Sequence, residues 1–180
     1  MSITITSQTH VGKVRKNNED NYFTAQLSAN KSDKSSHYIA LVSDGVGGKA
    51  FGEVASQTAV DVFSELVALN KLDIASDVNM REVVLEMSAR RAHTAIAEKG
   101  KVDKQYSGMS CTLVAALIDH DTVGFVNVGD SRLYHYSQGQ LLQVSDDQTV
   151  ARGLVQDGRI TEADLQNHPD RNVSQHALGV

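Results

Sequence analysis

Tryptophan is absent, and proline and cysteine each occur once in the chain. A lone cysteine, Cys111, cannot close an internal disulfide, which excludes a disulfide scaffold and points to a reducing, cytoplasmic compartment. No apolar run approaches membrane-spanning length, and the first residues lack the charged-then-apolar order of a secretory signal, so no membrane association is expected. Positive charge is in deficit: 17 Lys and Arg face 22 Asp and Glu, for a net charge of −5. That balance argues against a nucleic-acid or anionic-surface binder. What is present is 180 residues, 41% apolar and 22% charged, the profile of one soluble domain with a substantial core.

Periodicity supplies the elements. Ile3 and Ile5 alternate with Thr4 and Thr6, which predicts a half-buried strand. Strands are expected at 22–27 and 38–43, joined by a polar hairpin loop at 28–36. Ala55, Ala59, Val62, Phe63 and Leu66 then recur at helical spacing in a helix that begins near Gly52. In a second helix, Met80, Val83, Val84, Met87 and Ile96 form the expected buried stripe, with Arg81, Glu82, Arg90 and Arg91 on the wet side. Strands return at 111–118, 123–128, 132–136 and 140–144, with turns at Asp119-His120-Asp121 and Ser137-Gln138-Gly139. Residues 149–155 and 161–167 read as short helices, and Thr161 with Asp164 as a capping box. Antiparallel hairpins with segregated helices imply an α+β layered architecture, not a doubly wound parallel sheet. The last strands need further partners, so the fold is expected to be C-terminally incomplete.

Four segments carry chemistry. In Gly12-Lys13-Val14-Arg15-Lys16-Asn17-Asn18-Glu19-Asp20, Arg15 can grip phosphate oxygens, and Glu19 and Asp20 can hold a metal or its waters. The same run also reads as a solvated polar turn. In Leu41-Val42-Ser43-Asp44-Gly45-Val46-Gly47-Gly48, an acid ends an apolar strand before three glycines. Bare glycine amides cradle phosphate, yet Asp44 would repel one unless a divalent cation lay between them. The other use of Asp44 is to cap the helix near Gly52. A P-loop is excluded, because Lys49 precedes Ala50 and the glycine spacing differs. Ser107-Gly108-Met109-Ser110-Cys111-Thr112 suits a site lining or a tightly packed strand start, and Cys111 reads as a structural thiol. In Asn127-Val128-Gly129-Asp130-Ser131-Arg132, Asp130 and Ser131 are either turn formers or part of a site, with Arg132 paired to a carboxylate in the first case.

Together, Arg-x-x-Asn-Glu-Asp, Ser-Asp-Gly-x-Gly-Gly, Ser-Gly-x-Ser-x-Thr and Asn-Val-Gly-Asp-Ser-Arg resemble the metal-dependent (type 2C, PPM) protein serine/threonine phosphatases in order and rough spacing. Leu142-Gln143-Val144-Ser145-Asp146-Asp147 is similar to a further motif of that family. Gly158-Arg159-Ile160-Thr161, His168-Pro169-Asp170-Arg171-Asn172 and Ala177-Leu178-Gly179 resemble its flap and the stretch after it, so the likeness runs from 12 to 179. The resemblance implies a four-layer α-β-β-α sandwich of two antiparallel sheets flanked by helices. It implies one catalytic domain over 1–180, with a flap-like segment at 145–175 and without the family's last strands, helix and two late metal-ligand aspartates.

It also implies two Mn²⁺ or Mg²⁺ ions, and in bacterial members a third, weaker one. Asp44 matches the aspartate that bridges two ions, and the Gly45 carbonyl matches a ligand of the second. Glu19 matches a carboxylate that holds that ion's waters, Asp130 a residue of the third site, and Arg15 the phosphate-binding arginine. The implied reaction is in-line attack on phosphorus by a metal-bridging water, on phosphoserine and phosphothreonine in proteins. Val46 stands where many eukaryotic members carry histidine, which suggests a bacterial source and a bacterial Ser/Thr kinase as the opposing enzyme. Without the late aspartates, weak or absent turnover is expected of the 180-residue chain. The rival expectation is a non-catalytic pseudophosphatase that captures phosphoproteins, and a third is a phosphatase of small phosphoesters.

Overall fold

The computed structural model describes residues 3–27, 37–46, 51–69 and 80–180. The hairpin loop expected at 28–36, and Gly47 and Gly48 of the glycine turn, lie outside these residues. Strands β1 (Asp20–Leu27), β2 (His37–Asp44), β3 (Leu113–Ile118) and β4 (Val123–Val128) form one antiparallel sheet in the order β1-β2-β3-β4. A second antiparallel sheet consists of β5 (Tyr134–Ser137) and β6 (Gln140–Gln143). Its turn is two residues long, and Gln138 and Gly139 both have positive φ, 51° and 79°. That sign pattern belongs to the tight hairpin turn whose twist matches its strands.

Helices α1 (Gly52–Ala68) and α2 (Arg81–Val102) lie against one face of the larger sheet, α1 over β1 and β2, α2 over β3 and β4. The α1 stripe is as expected, with Ala55, Ala59, Val62, Phe63 and Leu66 all buried. They meet Ile39, Leu41, Leu113, Ala115 and Leu117 from β2 and β3 in one core. Each fully buried Leu, Ile or Phe contributes about 1.5–3 kcal/mol by leaving water. The α+β expectation of two antiparallel sheets with segregated helices therefore holds.

The face of α2 differs from the expected one. Arg81 is only 1% exposed, while Val83 and Met87 are 44% and 66% exposed. The buried line is Arg81, Val84, Leu85, Ser88, Ala89, Ala92 and Ile96. Small side chains in its middle let the helix approach the sheet closely. At its start, the Arg81 stem lies over Gly124, where an added methyl would sit 2.9 Å from Arg81 Cβ. Its guanidinium pairs with Asp119 and donates to Thr122 Oγ1 at 2.5 Å. A buried charge is tolerated when paired and hydrogen-bonded, and apolar periodicity cannot reveal that.

The strand expected at Ile3 to Thr6 is the other departure. Burial alternates there, but no ladder pairs these residues among those described. Alternation marks which side faces inward; only a neighbouring strand makes a ladder. Two short helices, α3 (Val150–Gln156) and α4 (Glu162–Leu165), form an excursion from the body. Thr161 and Asp164 form the expected capping box at α4. The excursion closes at its neck where Val150 N–H donates to Val173 C=O (2.9 Å) and Gln175 N–H to Gln148 C=O (2.7 Å). No helix among the described residues is long and apolar enough to cross a membrane.

Candidate active site at the ends of β1 and β2

The apolar residues of β2 that drive it into the sheet also carry Asp44 to the sheet's end. Asp20 was expected in the polar turn before β1, yet it is the first residue of the strand and the register partner of Asp44. Two carboxylates thus stand opposite one another, an arrangement that costs free energy while both are charged. The Asp20 carboxylate therefore disfavours the charged form of the Asp44 carboxyl. The Asp44 carboxyl is pushed up to about 6, first by partial burial, then by Asp20 and Asp130, with Arg15 pulling the other way. The helix-cap alternative for Asp44 fails. The N-cap of α1 is Phe51, in left-handed conformation at φ 72° with no side-chain cap bond.

Arg15 Nη1 donates to Glu19 Oε2 at 2.6 Å, and its side chain is 59% exposed. The guanidinium therefore keeps donors facing solvent beside the acidic pair. Gly45 N–H donates to the Glu19 carbonyl at 3.1 Å. A methyl at Gly45 would fall 2.4 Å from the Gly52 carbonyl, so only glycine lets the end of β2 lie against the start of α1. Glu19 Oε1 borders the same contact, 3.3 Å from a methyl placed on Gly52.

Thr112 links this end of the sheet to the Asp130 turn. Its N–H donates to Asp44 C=O (2.8 Å), and its Oγ1 accepts from Asp44 N–H (3.0 Å). The same Oγ1 lies 2.6 Å from Ser131 Oγ, and Ser43 Oγ donates to Thr112 C=O at 2.7 Å. Asp130 accepts from Ser174 Oγ at 2.8 Å, which ties the neck of the α3–α4 excursion to the site. Arg132 belongs to the packing instead: it grips Asp147 through Nε and Nη2, and Asp147 raises its pKa further. Cys111 is buried and its thiol is pushed up to about 11 by burial, so it is no nucleophile.

The structure thus gathers Arg15, Glu19, Asp44 and Gly45 and sets Asp130 near enough to act on Asp44. Sequence reasoning saw Asp20 as a possible ligand but not as the partner of Asp44. A strand beginning two residues earlier, at Asp20, would have shown it. Ser56 and Ser174 left no signal, and Thr112 read only as part of a possible site lining, because hydroxyl partners are set by tertiary contact. The oxygen-only donors suit a hard divalent cation better than zinc. Opposed carboxylates are also a pair whose repulsion such a cation relieves. Among the described residues, no three acidic, histidine or cysteine side chains converge to enclose an ion. The fit is to a cation that keeps much of its water, as Mg²⁺ does.

The family model for protein phosphatase 2C matches residues 9–157. The chain is 36% identical, over 168 residues and 93% of its length, to the serine/threonine protein phosphatase PstP of Mycobacterium tuberculosis. It is 32% identical, over 173 residues and 96% of its length, to the serine/threonine phosphatase stp of Listeria monocytogenes. It spans 29% of the first relative's length and 66% of the second's. The crystal structure of the PstP catalytic domain in complex with two manganese ions superposes with a TM-score of 0.69 at 31% identity, over 93% of this chain and 63% of that one.

Proposed function

This chain belongs to the protein phosphatase 2C family, and from that membership we propose that its site serves metal-dependent hydrolysis of phosphoserine and phosphothreonine in proteins. The observation that carries the reading is the Asp20–Asp44 pair in register beside Gly45, with Arg15 paired to Glu19 and close enough to act on Asp44.

In this reading Asp44, Asp20, Glu19 and the Gly45 carbonyl would hold divalent ions, two in the full site, and Asp130 would serve a weaker third. Bound Mn²⁺ or Mg²⁺ supplies Lewis-acid charge and lowers the pKa of water. Arg15 supplies donors for the equatorial phosphate oxygens and orients the ester. Glu19 holds the Arg15 guanidinium near the acidic pair. No side chain need act as nucleophile, which agrees with the inert setting of Cys111. Residues 1–180 act as one catalytic domain with a flap at 145–175. The substrates are phosphoproteins made by a bacterial Ser/Thr kinase in the cytoplasm.

Phosphate release from a phosphothreonine peptide tests this, with the 180-residue chain and its Asp44→Asn and Arg15→Ala forms. Slow, Mn²⁺-dependent release, lost in Asp44→Asn and with raised KM in Arg15→Ala, is expected. Release that ignores Mn²⁺ or survives Asp44→Asn overturns the reading. Arg15-dependent peptide capture with no release favours the binding-only alternative, and faster turnover of small phosphoesters moves the substrate class.

A further inference from the structure

We infer that Ser56, in the middle of α1, is a positioning residue that fixes the Glu19–Asp20 peptide unit against Gly45. The inference rests on the metal-site reading above. Ser56 is fully buried, so its hydroxyl must find partners. Serine and threonine in helices ordinarily bond a carbonyl one turn back. The other hydroxyls of α1 and α2 do so: Thr58 to Val54, Ser64 to Asp61, Ser88 to Val84 and Thr94 to Arg90, at 2.7–3.0 Å. Ser56 departs from them. Its contact with Glu53 C=O stretches to 3.3 Å, while Oγ lies 2.6 Å from the carbonyl of Glu19, outside the helix. Asn21 Nδ2 donates to the same Oγ at 2.8 Å, which orients the hydroxyl toward Glu19.

The Glu19 carbonyl therefore accepts twice, from Ser56 Oγ–H and from Gly45 N–H at 3.1 Å. One oxygen joins the start of β1, the end of β2 and α1. On one side of it lies the Arg15–Glu19 ion pair, on the other the Asp20–Asp44 register pair. None of the hydrogen bonds of Ser56 goes to the side chain of Glu19 or Asp20. It sets the height of the peptide from which Glu19 and Asp20 project, and small displacements of such groups matter to a metal site.

Mn²⁺ titration of the 180-residue chain, followed by the loss of the free-ion paramagnetic resonance signal, tests this alongside thermal melting. Ser56→Ala, and Ser56→Cys, which fills the same space with a weak donor, should each raise the Mn²⁺ Kd about tenfold below their melting temperatures. Ser88→Ala, a buried serine with an ordinary helical bond, should lower the melting temperature and leave Kd unchanged. Asn21→Ala should act in the same direction as Ser56→Ala and add little to it, since both work through one hydroxyl. If the Ser56 and Ser88 variants melt early and bind Mn²⁺ like wild type, the inference is wrong and the site reading survives. If wild type and Asp44→Asn take up Mn²⁺ alike, the site reading fails and this inference falls with it.

Discussion

Asp20 and Asp44 are direct partners across the β1–β2 ladder, so the sheet holds two carboxylates at one point, and their repulsion favours a proton or a cation there. Stability and function are opposed at that point. The acidic pair is a cost to the bare fold and an asset to a metal site.

The cost is visible as a pH dependence. The folded carboxyl of Asp44 titrates near 6, and the unfolded one near about 3.9. Between those values the folded chain holds the extra proton, so stability falls as pH rises from about 4 to about 6. Asp44→Asn removes that slope. Discounted for the partial exposure of the group, the metal-free variant should be more stable than wild type by about 1 kcal/mol at pH 8 and equal to it near pH 4. Urea unfolding at both pH values checks this. Added Mn²⁺ should reverse the order by stabilising only the wild type.

Legibility from sequence followed the kind of interaction. The α1 stripe, the hairpin turns and the α4 capping box were legible because each rests on residues near one another in the chain. Arg15, Glu19, Asp44 and Asp130 were legible as candidates because the segments that carry them resemble one family's motifs in order and spacing, whereas each alone also reads as a turn or a cap. The face of α2 was misread because Arg81 looks wet until Asp119 is placed 38 residues further on. Ser56 was silent, and Thr112 was seen only as part of a possible site lining, for the same reason: a hydroxyl's role depends on the carbonyl or amide it meets, which is a property of the packing.

The Arg81–Asp119 pair should account for much of the acid sensitivity. Burial raises the Asp119 carboxyl, but bonds from Arg81 and from the Asp121 and Thr122 amides outweigh it and hold the group well below the usual carboxylate range. Its contribution is thus complete above about pH 4 and is lost as pH falls further. Arg81→Met keeps the buried stem and removes the charge. It should cost about 2 kcal/mol at pH 7, less than a fully buried broken pair because Asp119 can rehydrate. Its stability should also fall less steeply than wild type below pH 4, read by urea unfolding across that range.

Two glycines should separate space from backbone conformation. Gly139 has φ 79° with nothing within 4 Å of an added methyl, so Gly139→Ala should cost about 1 kcal/mol from the left-handed backbone alone. A methyl at Gly45 meets the Gly52 backbone at 2.4 Å and must push β2 from α1. Gly45→Ala should cost about 3 kcal/mol, at the upper end of overpacking, and should lower Mn²⁺ affinity as well. Melting curves and Mn²⁺ titration of the two variants test the contrast, and equal losses would refute it.

Thr112 offers the sharpest separation of hydroxyl from methyl. Its Oγ1 takes the Asp44 amide and meets Ser131, while its Cγ2 packs where a methyl on Gly129 would come within 2.8 Å. Thr112→Val keeps the shape and leaves the Asp44 N–H without its acceptor in a partly buried setting. A cost of about 2 kcal/mol follows from one unpaired donor and the orphaned Ser131 hydroxyl. Thr112→Ser keeps the acceptor and loses one methyl, for about 1 kcal/mol. Hydrogen exchange reads the difference directly. The Asp44 amide should exchange at least tenfold faster in Thr112→Val, relative to global stability, and at the wild-type relative rate in Thr112→Ser. Equal protection in both variants would mean that the ladder bond from Thr112 N–H to Asp44 C=O holds the end of β2 unaided.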